Sequence, residues 1–139
     1  MTDVELGWLA GIMDGEGCIY AKLERGRYVN AKVQVIMCNL RPITRLHELS
    51  GLGYLKLYMR KSKGGRPVHG WFCYARDVLS FLKLVVPHLT VKQAQAEAMI
   101  ALLEHIHPEA GTMPRISVEG LLYRQALVQR IKDLKKDCS

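Results

Sequence analysis

Three glycines recur at every fourth position near the N-terminus, at Gly7, Gly11 and Gly15, inside an apolar segment whose periodicity predicts a helix over residues 4–15. Residues four apart lie on the same face of a helix, so the glycines form one stripe without side chains. Each of them destabilises the helix by about 1 kcal/mol relative to alanine. A second helix that approaches closely would explain the stripe, as small residues do between membrane helices. From the glycines alone, packing within the domain and packing against another subunit fit equally well.

Two carboxylates, those of Asp14 and Glu16, stand at the C-terminal end of this helix. The negative end of the helix dipole is unfavourable for anions, and the rest of the helix offers Glu16 no cation. If two copies of the helix pack together, two carboxylates meet and repel each other unless a cation intervenes. Hard oxygen ligands with exchangeable waters suit Mg²⁺. Metal-assisted phosphodiester hydrolysis is therefore one interpretation, and a solvated helix end is the other.

The positive charge of the chain is concentrated in its middle. The 139 residues carry a formal net charge of +7. Residues 25–76 contain one acid, Glu48, and eleven basic residues: Arg25, Arg27, Lys32, Arg41, Arg45, Lys56, Arg60, Lys61, Lys63, Arg66 and Arg76. A segment this one-sided repels itself unless it faces a polyanion. The distribution favours a nucleic-acid partner over a basic surface that is only solvated.

The remaining composition is that of an ordinary globular protein. Hydrophobic residues make up 49%, and the length allows one domain with a proper core, so we predict a single domain over residues 1–139. There is no apolar run long enough for a transmembrane helix and no signal-peptide pattern, so an intracellular protein without a membrane partner is expected. The four cysteines, Cys18, Cys38, Cys73 and Cys138, contain no C-x-x-C pair. They favour reduced thiols over a structural zinc site.

Hydrophobic periodicity and turn residues predict an α+β chain of the order αββαββ followed by further helices. The core of the domain is expected over about residues 4–107. The predicted helices cover residues 4–15, 40–50, 77–86, 91–106 and about 117–136, and the predicted strands cover residues 18–25, 28–38, 54–60 and 68–75. Four antiparallel strands covered by helices on one side leave the other side open. Such a face can lie in the major groove of DNA, which admits a two-stranded ribbon.

The alternation of side chains along each strand predicts which residues line the open face. Their types suit base edges, since Arg and Lys pair with guanine, Asn and Gln with adenine, and Glu with cytosine. The predicted DNA-reading residues are Tyr20, Lys22, Glu24, Tyr28, Asn30, Lys32, Gln34, Tyr54, Lys56, Tyr58, Arg60, His69 and Trp71. Lys61, Lys63 and Arg66 lie in the glycine-containing loop between the last two strands and are expected to contact phosphates.

The segment Leu9–Gly17 reads LAGIMDGEG and resembles the LAGLIDADG signature of the homing endonucleases, from which it departs at Ile12, Met13, Gly15 and Glu16. The resemblance covers about residues 5–107. It implies the αββαββ fold of that family, with an antiparallel saddle-shaped sheet. It also implies that Glu16 is the catalytic, metal-binding acid, that the Gly15 carbonyl is a further ligand, and that Mg²⁺, or Mn²⁺ or another divalent cation in its place, is the cofactor.

The chain contains one copy of this signature, and family members with one copy form homodimers. The resemblance then implies a dimer in which the two Leu9–Gly17 helices pack together. The implied interface residues are Gly7, Trp8, Ala10, Gly11, Asp14 and Gly15. Asp14 has a structural role in this arrangement, capping and bridging the helix ends.

A second match lies at Pro87–Gln93, which resembles the family's P-x-L-x-x-K segment. The family's lysine reaches toward the active site, and this role falls on Lys92. A polar residue near the end of the second strand often completes the family's site, but here Met37 stands nearest that place. Methionine cannot orient a water as glutamine can, so either Asn39 or Gln34 substitutes for it or the chain does without.

The resemblance implies an intron-encoded type of homing endonuclease, a hydrolase that cuts both strands of a long pseudo-palindromic DNA target and leaves 3′ overhangs. Two alternatives keep the fold: a DNA-binding regulator without cleavage, and a maturase that binds the host intron RNA. An intact Glu16 favours the nuclease. The absence of a splicing motif favours a free-standing product. It would work beside DNA, either in the cytoplasm of a prokaryote or phage-infected cell or in an organelle.

Overall fold

The computed structural model describes residues 1–59, 66–107 and 116–137 and has the predicted α+β order. The helices are α1 (Asp3–Glu16), α2 (Leu40–Ser50), α3 (Arg76–Val85), α4 (Gln93–Ile106) and α5 (Val118–Asp137), and the strands are β1 (Gly17–Glu24), β2 (Tyr28–Met37), β3 (Tyr54–Met59) and β4 (Pro67–Tyr74). A short 3-10 turn, Val86–His88, joins α3 to the segment that leads into α4. Within the described ranges, no helix combines the length and apolar character that a membrane crossing requires.

The four strands form one antiparallel sheet in the order β1-β2-β4-β3. The hairpin between β1 and β2 turns at Arg25 and Gly26, both with positive φ, and the Arg27 N–H donates to the Glu24 carbonyl at 3.0 Å. Positive φ at the turn matches the right-handed twist of the strands that it joins. The register then places Cys18 opposite Gln34 and Lys32 opposite Tyr74.

Helix α1 runs directly into β1 without a connecting loop. Its start is fixed by a capping box in which Thr2 accepts from the Glu5 N–H and Glu5 accepts from the Thr2 N–H. At its end, Gly17 turns into extended backbone, and a Cβ there would lie 2.6 Å from the Met13 carbonyl oxygen. Only glycine fits such a close approach, so the junction that carries Glu16 is held by backbone geometry.

The core lies between one face of the sheet and the helices. Alternate residues of β1 and β2, including Ile19, Val33 and Val35, are fully buried there. Trp71 is also buried; its ring packs on Phe81 with centroids 4.8 Å apart, and its Nε1 donates to the Leu52 carbonyl at 2.9 Å. Helix α5 packs against α4 and along β1.

The assignment of Trp71 and His69 to the open face is wrong. Both residues point to the helix side of β4, where Trp71 finds both an apolar environment and an acceptor for its indole N–H. His69 is half-buried there and lines a groove with Leu40 and Leu55. The open face of β4 carries Gly70, Phe72 and Tyr74 instead, since side chains alternate along a strand.

The cysteines in the described ranges are free thiols in three different environments. Cys18 is half-buried, Cys38 is exposed and Cys73 is buried. Burial, with a smaller effect of Asp77, raises the pKa of the Cys73 thiol to about 12. Cys138 lies outside the described residues. Cys73 is therefore a protonated core residue at neutral pH.

Candidate active site and nucleic-acid interface

Glu16 is the last residue of α1, and its side chain is exposed. It forms no hydrogen bond or ion pair with another residue of the described ranges. Gly15, also exposed, belongs to the last helical turn, whose carbonyls have no partner within the helix. The end of α1 thus presents one unpaired carboxylate and one backbone oxygen to the outside.

Asp14 holds the chain segment that leads into α4. Its carboxylate accepts from three consecutive backbone N–H groups: those of Thr90 at 2.8 Å, Val91 at 3.1 Å and Lys92 at 2.9 Å. These amides belong to the segment that ends at Lys92, the N-cap residue of α4, whose own side chain makes no capping bond. Within this chain, the Asp14 carboxylate therefore ties the end of α1 to the start of α4.

Lys92 lies at the same junction. Its Nζ donates to the backbone carbonyl of Asp14 at 2.6 Å. Helix α1 has no basic residue in its own last turn, so Lys92 supplies the cation that the negative end of the helix dipole favours. The ammonium group is held on the carbonyl of Asp14, two residues before Glu16.

Replacing Asp14 by alanine is expected to lower the free energy of unfolding by about 2 kcal/mol, the magnitude for hydrogen bonds to a charged group, because three amides lose their acceptor. Urea denaturation followed by circular dichroism measures the change. Asp3→Ala, which removes an exposed aspartate from the other end of α1, is the control and should cost no more than about 0.5 kcal/mol. Equal costs for the two variants would contradict the assigned clamp.

The polar residue expected near the end of the second strand has three candidates, which the structure separates. Met37 is half-buried on the helix side of β2, packed against the core. The Asn39 side chain accepts from the Arg41 N–H at 3.0 Å and caps α2. Gln34 lies on the open face, opposite Cys18 at the start of β1. Of the three, Gln34 is the one whose side chain is directed to the open face close to the Glu16 junction.

The open face of β1, β2 and β3 has the predicted composition. The predicted residues of these strands that lie on it are Tyr20, Lys22, Glu24, Tyr28, Asn30, Lys32, Gln34, Tyr54 and Lys56. The Lys32 Nζ lies 4.9 Å from the centre of the Tyr20 ring, and Asn30 Nδ2 donates to Glu24 Oε1 at 3.4 Å. The backbone of Tyr58 continues β3 opposite Val68. Arg66 is exposed just before β4, whereas Arg60, Lys61 and Lys63 lie outside the described residues.

Sequence reasoning missed three residues on this face. Phe72 and Tyr74 belong to β4. Both sets of alternate residues on this strand contain large apolar side chains, so the sequence does not show which set is buried. Lys135 comes from α5: its Nζ donates to Cys18 Sγ at 3.1 Å and lies 5.9 Å from the centre of the Tyr20 ring. No local sequence signal connects residues 117 positions apart. Lys135 adds a positive charge beside the start of β1.

The glycine stripe of α1 faces away from the chain's own core. A Cβ placed on Gly7, Gly11 or Gly15 would meet no atom of the described residues within 4 Å. Val4, one turn before the stripe, is 78% exposed. Among the described residues, the glycine stripe therefore packs against nothing in its own domain. Of the two interpretations of the stripe, this favours packing against a second subunit.

Two residues of the expected dimer interface are engaged elsewhere. Ala10 is only 1% exposed and packs with Leu9 and Met13 in the core, so its assignment to the interface is wrong. The Asp14 carboxylate is occupied by the three amides of its own chain. Trp8 is half-buried, with the Arg45 guanidinium carbon 4.7 Å from the ring centre. A partner would therefore meet α1 along the glycines and the outer part of Trp8.

The sequence matches no family model and no curated protein. The structure, however, is similar to solved homing endonucleases. I-CvuI, solved in complex with its target in the presence of Ca, matches with a TM-score of 0.72 at 20% identity, over 94% of this chain and 82% of that one. I-CvuI was also solved with the I-CreI target in the presence of Mg, with the DNA not cleaved.

Two intron-encoded homing endonucleases complexed with DNA are similar as well. The archaeal I-Vdi141I has a TM-score of 0.74 at 13% identity, over 95% of this chain and 84% of that one. I-CeuI, which is encoded by a group I intron, has a TM-score of 0.67 at 18% identity, over 94% of this chain and 67% of that one. At these identities the likeness establishes the fold, which is that of the LAGLIDADG homing endonucleases.

Proposed function

We propose that this protein is a homodimeric, metal-dependent DNA endonuclease that binds a long pseudo-palindromic site and cuts both strands, leaving 3′ overhangs. The observation that carries the proposal is Glu16: an exposed carboxylate without a partner among the described residues, at the junction between α1 and the open face. An unpaired acid beside a basic surface is unfavourable for DNA binding unless a cation neutralises it. The fold shared with DNA-bound homing endonucleases supports the same conclusion.

The open face supports duplex DNA as the substrate. Its β1–β2 half carries hydrogen-bonding side chains on alternate positions, with Lys22 opposite Asn30 and Tyr20 opposite Lys32. Such an array matches the donors and acceptors that base pairs present in the major groove. Lys135 and Arg66 lie at its margins and suit phosphate contacts. The face therefore combines groups that read sequence with groups that provide affinity.

The residues at the end of α1 fit a divalent cation of the magnesium type. The Glu16 carboxylate and the Gly15 carbonyl are hard oxygen donors, and Mg²⁺ in nucleases is commonly held by one or two carboxylates together with water and phosphate. The described residues contain no group of three or more His, Cys, Asp or Glu that could enclose an ion by themselves. DNA phosphates and a second copy of Glu16 would complete such a site.

Each residue at the junction has a distinct role in the proposed hydrolysis. Glu16 and the Gly15 carbonyl would hold a divalent cation, which when bound would supply activation of water and stabilisation of the leaving oxygen. Lys92, fixed on the Asp14 carbonyl, offsets negative charge on the phosphate. Asp14 is a positioning residue, since its carboxylate fixes the backbone of Lys92.

A two-fold dimer explains double-strand cleavage. Two copies of α1 packed along their glycine stripes would bring two Glu16 side chains near the axis, one for each strand. A symmetric pair of reading faces also requires two related half-sites, which makes the target pseudo-palindromic.

A second function, DNA binding without cleavage, is favoured by one observation. Met37 occupies the place where the family often has a polar residue, and it packs on the core. If Gln34 does not take over the role of that polar residue, the site lacks a group that orients water. The protein would then bind DNA as a regulator without cutting it.

One selection experiment tests the proposal. A randomised duplex library is incubated with the protein and Mg²⁺, and the cut ends are sequenced. We expect enrichment of a pseudo-palindromic sequence with staggered ends and no products in EDTA. Binding should fall by about 10³–10⁵-fold between about 50 and 200 mM salt if six to ten phosphates are neutralised. Tight binding that no divalent metal converts to cleavage would support the regulator, and affinity independent of salt would contradict the assigned face.

A further inference from the structure

The open face is divided into two halves of different chemistry. The β1–β2 half carries two lysines, two amides and a carboxylate, together with Tyr20 and Tyr28. Among the described side chains, the β3–β4 half carries Lys56 and three neighbouring aromatic rings, those of Tyr54, Phe72 and Tyr74, which we call the aromatic patch. Tyr54 is directly opposite Phe72 in the register, and Tyr74 is opposite Lys32 of β2. The patch therefore spans the interior strand β4 and the edge strand β3, and it adjoins the β1–β2 half through Tyr74.

The rings are fixed against each other. The Tyr54 ring stacks on that of Tyr74, with centroids 5.7 Å apart and planes 21° from parallel, and lies 6.1 Å from the Phe72 centroid. The neighbouring Tyr54 side chain, followed by burial, raises the pKa of Tyr74. The Phe72 ring covers Gly70, where a Cβ would overlap it. The patch is thus a preformed surface.

The patch nevertheless remains accessible. Tyr54 is 50% exposed and Tyr74 is 38% exposed, while Phe72 lies beneath them at 9%. No helix of the described residues covers the patch, because the helices pack on the other face of the sheet. Exposed aromatic rings that adjoin one another on a polar, cationic face are costly in water unless a ligand with an apolar group covers them.

Duplex DNA presents one apolar group in its major groove, the C5-methyl of thymine. The bases are stacked inside the duplex, so ring faces cannot stack on them, and ring edges meet the methyl groups instead. Building on the proposed function, we propose that Tyr54, Phe72 and Tyr74 form a thymine-methyl subsite. The β3–β4 half then selects thymines within each half-site through apolar contact, whereas the β1–β2 half reads neighbouring base pairs through hydrogen bonds.

Replacing thymine by uracil tests the subsite without changing the protein. Each thymine of the selected target is replaced singly by deoxyuridine, which keeps base pairing and removes only the methyl. At one or more thymines in each half-site, the wild-type protein should bind the uracil duplex about fourfold more weakly, the effect of losing one buried carbon group. Equal affinity for thymine and uracil at every position would overturn the inference.

Protein variants locate the effect. In Tyr54→Ala/Tyr74→Ala the preference for thymine over uracil should disappear, whereas Tyr74→Phe, which keeps the ring, should retain it. Tyr123→Ala is the matched control, because it removes an exposed tyrosine from α5, outside the proposed DNA-binding face, and should leave the preference at those thymines intact. Retention of the preference in the double variant would assign the methyl contact elsewhere and overturn the inference.

The two proposals fail in different ways. If no duplex is selected at all, both the proposed function and the subsite are wrong. If a duplex is selected and cut but shows no methyl dependence, only the subsite is wrong. If single-stranded RNA binds more tightly than any duplex and quenches the tyrosine fluorescence, the rings stack on bases and the thymine-methyl assignment is wrong.

Discussion

Glu16→Gln is expected to abolish cleavage of the target while DNA binding persists. The substitution keeps the size of the side chain and removes the charge that would hold the metal. Because metal stabilisation of a phosphoryl transition state is worth several kcal/mol, and about 1.4 kcal/mol corresponds to tenfold, the rate should fall by at least about a thousandfold. Binding without metal should become tighter, since the variant no longer places a carboxylate beside phosphates.

A cleavage assay with Mg²⁺, run beside a binding assay with Ca²⁺ or EDTA on the same DNA, measures both effects. Glu97→Gln is the matched control, because Glu97 is exposed on α4 and has no role in the proposed site. It should cut at the wild-type rate. Cleavage by Glu16→Gln at that same rate would mean that the catalytic acid is another residue, and loss of binding together with cleavage would point to a folding defect.

Gly11→Leu is expected to separate the dimer into folded monomers. Gly11 lies in the middle of the stripe, and a leucine there would keep two helices apart. Within the chain a Cβ at this position meets nothing within 4 Å among the described residues, and leucine favours the helix by about 1 kcal/mol over glycine. The affinity for the full target should fall by about 10²–10⁴-fold, because two linked half-sites are no longer bound by one particle.

Sedimentation of wild type and variant, with circular dichroism, gives the result. The wild type should sediment as two chains and Gly11→Leu as one, with the helical content unchanged. Ala126→Leu, the same kind of enlargement at an exposed position of α5, should leave the wild-type behaviour unaltered. The dimer would be contradicted if the wild type is monomeric both alone and on DNA. In that case Gly11→Leu would only raise the free energy of unfolding.

The sheet illustrates how far alternation in a sequence can be interpreted. On β1 and β2 one alternation is apolar and the other polar, so the buried and open faces follow from the residue types, as for Val33 and Lys32. On β4 both sets of alternate residues contain large apolar side chains. Trp71 goes to the core because Phe81 packs on it and the Leu52 carbonyl accepts its indole N–H. Those partners are distant in sequence, so the strand alone could not assign its own faces.

The candidate site shows a similar division. The motif resemblance predicts roles for Glu16 and Lys92, and in the structure the Lys92 side chain contacts the end of α1. The bonds from Asp14 to the amides of residues 90–92 join positions 76 to 78 apart, and no spacing rule predicts them. Ala10 was wrongly assigned because small residues occur on both sides of α1, and only the packed core shows that Ala10 belongs with Leu9 and Met13.

In the proposed nuclease, the absence of a loop between α1 and β1 would determine where the DNA is cut. Glu16 and the first residues of the open face are joined through Gly17 by continuous helix and strand, so the distance between the cut and the bases that are read would be set by the backbone. Substitutions on the open face would then change which sequence is cleaved and leave the length of the overhang constant. In the proposed enzyme, the sequence that is recognised and the position of the cut would therefore be determined separately. Side-chain substitutions on the open face would change the first and not the second.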